Sequence, residues 1–191
     1  YDTDGNVNWT VTLDSIVNDL DVANDGSVYA VSTVSAYHYD KNGNQLLKYT
    51  ASATYKGQSP TRIACTKSGD YFYIGTSLIS GTSCLVRVSS SGEFVTYNQY
   101  DYLIDSIICD DSHVYYAIHS TASSFFRCSL DFSNVATGYS NIGQACYELA
   151  LDGLGGIYLA VGNGNGNAMR QMTDLSDNTK YSSKVLSYQV G

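Results

Sequence analysis

The chain repeats itself about every 43 residues, and each copy is built of short apolar strands separated by polar turns. Leu20, Ile63, Ile107 and Leu149 recur at spacings of 43, 44 and 42, and are expected to lie buried on equivalent inner strands. Val28, Phe72, Tyr115 and Tyr158 recur at 44, 43 and 43, and Ala30, Ile74, Ala117 and Ala160 keep the same intervals. Each copy reads apolar–x–apolar, a turn, then an aromatic-rich apolar strand. A period of about 40–45 residues with several strands per period implies a β-propeller, one four-stranded antiparallel blade per repeat. The expected fold class is therefore all-β, with about four to five blades in this chain, either a small ring or part of a larger one.

No helical periodicity competes with this reading, and no apolar run approaches membrane-spanning length. There is one proline, Pro60, and no linker-like stretch marks a boundary. Residues 1–191 read as one propeller domain or propeller fragment, with repeats near 20–61, 62–104, 105–147 and 148–191. In the first repeat the inner strand lies near 20–23 and turns at Asn24-Asp25-Gly26, whose Asp-Gly pair favours a tight hairpin. Second, third and outer strands follow near 28–32, 36–39 and 45–50. Three-strand cores occur four times, but outer-strand segments occur five times: 7–13, 45–50, 94–100, 135–140 and 179–183. The tail at 185–190 reads as one more strand. Segment 7–13 precedes any core of its own, so it is expected to pair with a distant strand or another chain. Tyr1 stands at the repeat position of Tyr39, which implies missing upstream polypeptide.

Charge narrows the partners. Ten Lys and Arg stand against 18 Asp and Glu, a formal net charge of −8. That argues against nucleic acid, whose phosphates need clustered cations, and against insertion into or contact with anionic membranes. Eighteen tyrosines provide either aromatic strand packing or a Tyr/Ser/Asn recognition surface. Five cysteines include no CxxC pair. Cys65 and Cys109 share the position that Val22 and Leu151 fill elsewhere, so both are expected to be reduced, buried and small-hydrophobe-like. Free thiols fit folding in a reducing compartment; a disulfide between two of the others stays open.

The stretch Tyr1 to Trp9, followed by Asn24-Asp25-Gly26-Ser27-Val28-Tyr29-Ala30-Val31, resembles the PQQ-like propeller repeat, and Tyr39-Asp40-Lys41-Asn42-Gly43-Asn44 repeats its second half. Only Trp9 fills the Trp position of that pattern; Leu47, Thr96 and Gly138 replace it later. NHL-type and WD40-like propellers share the same grammar. The resemblance implies a propeller and no particular activity, because propellers host unrelated functions.

The candidate binding residues are a repeated cation, His38, Arg87, Arg127 and Arg170, each just before the turn after the third strand, together with Trp9, Tyr97, Tyr100 and Tyr102. The cations either stack between blades or form a ring of donors for carboxylate or sugar ligands. Asp2-Thr3-Asp4-Gly5-Asn6 opens like a calcium loop, but the glutamate that an EF-hand needs is missing. Three histidines lack metal-binding spacing, and His113 reads as a turn residue; no metal or cofactor is expected. Gly162 to Asn167 lacks the Lys-Ser/Thr end of a phosphate loop and reads as a hairpin tip. No Ser–His–Asp set is nominated. Asn8-Trp9-Thr10 is a glycosylation sequon with meaning only in a eukaryotic secreted protein. The expected function is non-enzymatic: a binding or structural propeller mediating protein or glycan attachment, exposed on a virion (fibre, tail or capsid decoration) or a microbial surface. The alternative is part of a quinoprotein-like or lyase-type propeller enzyme.

Overall fold

Alternation of apolar side chains with period two, broken by Gly, Asn and Asp at the turns, produces short strands and no helix among the described residues. The computed structural model describes residues 4–50, 58–77, 79–119, 124–137, 145–153, 156–163, 166–172 and 183–186. Four antiparallel sheets follow one another along the chain. The first is β1 (Val17–Val22), β2 (Val28–Ser32), β3 (Ser35–Tyr39) and β4 (Gln45–Thr50). Next come β5 (Pro60–Cys65), β6 (Tyr71–Thr76), β7 (Ser83–Ser89) and β8 (Phe94–Tyr100). The third holds β9 (Ile104–Cys109), β10 (His113–Ile118), β11 (Ser124–Ser129) and β12 (Ala136–Thr137). The fourth holds β13 (Ala145–Leu151), β14 (Ile157–Asn163), β15 (Gly166–Met172) and β16 (Ser183–Leu186). Within each sheet the strands lie in chain order, the meander of a propeller blade.

Each blade has two apolar faces because alternate residues of a strand point to opposite sides. The leading face meets the preceding blade and the trailing face meets the next. In the first junction Ala23, Tyr29, Val31 and Ala36 of blade 1 pack against Ile63, Cys65, Phe72, Ile74, Val86 and Val88 of blade 2. In the second, Ala64, Tyr73 and Leu85 meet Ile107, Cys109, Val114, Tyr116 and Cys128. In the third, Tyr115, Ala117 and Phe125 meet Cys146, Leu149, Ile157 and Leu159. All five cysteines are buried and outside any disulfide, Cys65 and Cys109 on the inner strands of adjacent blades. Burial pushes the Cys128 and Cys146 thiols up to about 12, so the thiolate is suppressed.

Four expectations need correction. Leu20 is not buried: it is 58% exposed, while Ile63, Ile107 and Leu149 are 2–4% exposed. It lies on the leading face of blade 1, which no described blade covers. Second, 7–13 forms no strand. It crosses blade 1, where Trp9 donates from Nε1 to the Lys41 carbonyl at 3.0 Å and lies 6.1 Å from the Tyr39 ring. Third, the described outer strand of blade 4 is Ser183–Leu186, paired with β15, which joins the end of the expected strand 179–183 to the start of the expected tail strand 185–190; 173–182 and 187–191 lie outside the described residues, as does 138–140 of the expected outer strand 135–140. Fourth, the second strands of blades 3 and 4 shift by one residue. Val28, Phe72, Val114 and Ile157 pair with Val22, Cys65, Cys109 and Leu151, so they are the true equivalents. The turn from Cys109 to Val114 is shorter than that from Cys65 to Phe72, and a one-residue slip exchanges the two faces of a strand.

Candidate functional site

The four inner strands converge on a cavity of about 390 Å³ lined by Asp19, Asp21, Lys67, Glu148 and apolar residues including Ile63, Ile107 and Leu149. The residue before each apolar anchor of the repeat is polar: Asp19, Arg62, Ser106 and Glu148. Strand alternation turns these four away from the leading face, and three of them reach across to the following inner strand. Asp19 Oδ2 accepts from the Ile63 amide at 3.0 Å. Arg62 donates from Nε to the Asp105 carbonyl. Ser106 Oγ accepts from the Leu149 amide at 3.1 Å and donates to Glu148. Two residues along β1, Asp21 Oδ2 accepts from the Cys65 amide at 2.9 Å. Polar side chains thus tie each inner strand to the next, alongside a main-chain bond in which the Asn24 amide donates to the Lys67 carbonyl at 2.9 Å. Burial raises the Asp19 carboxyl above the usual carboxylate range, opposed by the amides of Ile63 and Leu20.

At one end of this row His119 Nδ1 lies 3.0 Å from Asp105 Oδ2. Burial raises the Asp105 carboxyl, and the imidazole opposes that shift. This pair escaped the sequence reading because 14 residues and a strand turn separate its members. His113 also differs from expectation: it opens β10, because the turn before it is short.

The repeated cation sits elsewhere, at the junctions. His38 stands across the strand pair from Tyr29, Arg87 from Tyr73 and Arg127 from Tyr115. All three tyrosines belong to trailing faces. His38 is buried and stacks on Tyr29 with centroids 4.2 Å apart. Burial lowers its pKa, opposed by the Ser90 backbone. The Arg87 guanidinium lies 3.8 Å from the centre of the Tyr71 ring. Arg170 is out of step with the others: it pairs with Leu159, and Gln171 stands opposite Tyr158. The structure therefore distributes His38, Arg87 and Arg127 among separate junctions.

The aromatic candidates also separate. Tyr100 is half-buried and donates to the Tyr116 hydroxyl at 2.7 Å inside the second junction. Tyr97 and Tyr102 are exposed, and Phe94 and Val95 are exposed beside Tyr97 on β8. Trp9 is half-buried against Gly43, where a Cβ would lie 2.7 Å from its ring. Leu47 of β4 meets Gly92 of the next blade in the same way, at 2.6 Å. Trp9 thus occupies the place that an outer strand of a preceding blade would give its docking residue. Of the other motifs, Asp2 and Thr3 lie outside the described residues, and Asn163 pairs with Gly166 at the expected hairpin tip. No group of three or more potential metal ligands occurs among the described residues.

No protein-family model matches the chain, and no curated protein matches it. Solved structures do. The WD40 repeats of RRP9 superpose with a TM-score of 0.65 at 14% identity, over 92% of this chain and 52% of that one. U3-55K gives 0.66 at 14% identity, over 92% and 53%. A protein of unknown function from Bacteroides caccae gives 0.57 at 12%, over 94% and 62%. The fold is a WD40-like β-propeller, and the chain spans about half the length of the WD40 structures it matches.

Proposed function

We propose that the chain is a non-enzymatic interaction platform, one propeller unit within a larger ring or assembly, whose partner is a protein. One observation carries the reading. At the repeat position before each apolar anchor, Asp19, Arg62 and Ser106 are spent on the backbone of the neighbouring blade. Side chains committed to joining strands are poorly placed for proton transfer or nucleophilic attack, which require groups aimed at a substrate. What remains for recognition is the outer surface, including Tyr97 and Tyr102. A glycan is a second class of partner compatible with these exposed aromatics. The acidic, Tyr- and Asn-rich composition fits a virion or microbial surface role. Trp9 on Gly43, echoed by Leu47 on Gly92, supports a PQQ-like outer turn without implying quinone chemistry.

The test is hydrogen exchange and thermal unfolding of Asp19→Asn and Ser106→Ala. Each should lower stability by about 1–2 kcal/mol, the cost of a weakened or lost buried hydrogen bond, and speed exchange at Ile63 or Leu149 respectively. Unchanged stability together with unchanged exchange would mean that these groups are free for chemistry, contrary to the reading.

A further inference from the structure

We infer that the uncovered leading face of blade 1 is an interface for a second copy of this chain, which docks the trailing face of its blade 4 there. Every junction inside the chain joins a trailing face to a leading face. Among the described residues two such faces are left over. On β1, Leu20 and Val22 are 58% and 43% exposed, although their equivalents Ile63 and Cys65, and Ile107 and Cys109, are buried in junctions. On blade 4, Ala150 and Ala160 are exposed and Tyr158 is half-buried, although the equivalent trailing-face residues Ala64 and Tyr73 of blade 2 are buried. The left-over pair has the composition of the internal junctions: branched aliphatic residues on one side, alanines and a tyrosine on the other.

Only part of the leading face is open. Tyr37 and Tyr39, further out on β3, are buried, and the segment ending at Asp14 runs over them. Asp14 anchors that segment. Its carboxylate accepts from Ser32 Oγ and Ser35 Oγ and pairs with Lys48 at 2.9 Å. The open area is thus the inner half, along β1, where inner strands meet in every other junction. Register agrees with this occupant: Leu20 and Val22 pair with β2 as Ile63 and Cys65 pair with β6, and Ala150 stands opposite Tyr158 as Ala64 stands opposite Tyr73. Two copies related by a twofold axis make the junction twice and leave no face over, so the assembly closes instead of growing into a fibre.

This inference goes beyond the platform reading, and its failure would leave that reading standing. The experiment is light scattering on the 191-residue chain across a dilution series, with circular dichroism as a check on folding. The expected result is a mass of twice 20.7 kDa that falls to 20.7 kDa on dilution. Leu20→Asp with Val22→Asp should be monomeric throughout with an unchanged β spectrum, since both positions are already exposed. Ala160→Arg, on the opposite face, should have the same effect, and Leu20→Ile should still pair. A wild-type chain that is monomeric at the highest concentration would overturn the proposal. So would a dimer that survives both disruptive variants, or open-ended polymers.

Discussion

Gly43 is where the segment before blade 1 is fastened, and Gly43→Ala tests that fastening. Its φ is 84°, a left-handed conformation that costs an L-residue about 1–2 kcal/mol. A Cβ there would also lie 2.7–2.8 Å from two atoms of the Trp9 ring, so the indole must move. Moving it gives up the bond to the Lys41 carbonyl, about 1 kcal/mol, and part of the burial of a half-buried ring, about 1 kcal/mol more. The sum is about 3–4 kcal/mol. In a Trp9→Ala background only the backbone cost remains, so a double-mutant cycle should give a coupling of about 2 kcal/mol. Urea unfolding followed by circular dichroism supplies the free energies. Trp9 is the sole tryptophan, so native-state fluorescence reports the displacement separately and should shift to the red in Gly43→Ala. Equal costs of Gly43→Ala with and without Trp9, and an unshifted emission, would refute the seating of Trp9 on this turn.

Two further outcomes follow from buried polar groups. Thr76→Val should cost about 2–3 kcal/mol in chemical unfolding, because the buried hydroxyl both accepts from the Cys84 amide at 2.8 Å and donates to Gln58 at 2.7 Å; Thr76→Ser should restore most of it. His38 makes stability depend on pH. Its folded pKa is lowered, so the unfolded chain binds the proton more readily, and stability present above the unfolded value near 6.5 is lost as pH falls below it. His38→Phe should flatten the stability profile between about pH 7 and 5.5, and an unchanged slope would show that the imidazole is not desolvated.

Much of the fold was legible because the repeat imposes the same burial on equivalent residues. β2, β4 and β8 match the sequence expectation to the residue, and Cys65 and Cys109 are buried as their exchange with Val22 and Leu151 implies. The failures have physical causes. The anchor pattern predicts burial of Leu20 only if another blade covers it, and hydropathy carries no information on neighbours. The slip at Val114 arises from a short turn that composition does not reveal. Among the site residues, His38, Arg87 and Arg127 were found by recurrence, but recurrence does not say which way a strand faces. Asp19, Arg62, Ser106 and Glu148 were missed although they share a period. The signal was there in their place, one before each apolar anchor, but it was hidden because an acid, a base and a hydroxyl perform the same joining role.

The most direct test of the account is a crystal structure of the 191-residue chain, read at Leu20 and Val22. The account predicts an arc in which Ile63, Ile107 and Leu149 fill junctions within one chain, and Leu20 and Val22 are covered only by polypeptide from another molecule. Finding Leu20 and Val22 buried against blade 4 of their own chain, in a small closed ring, would contradict it.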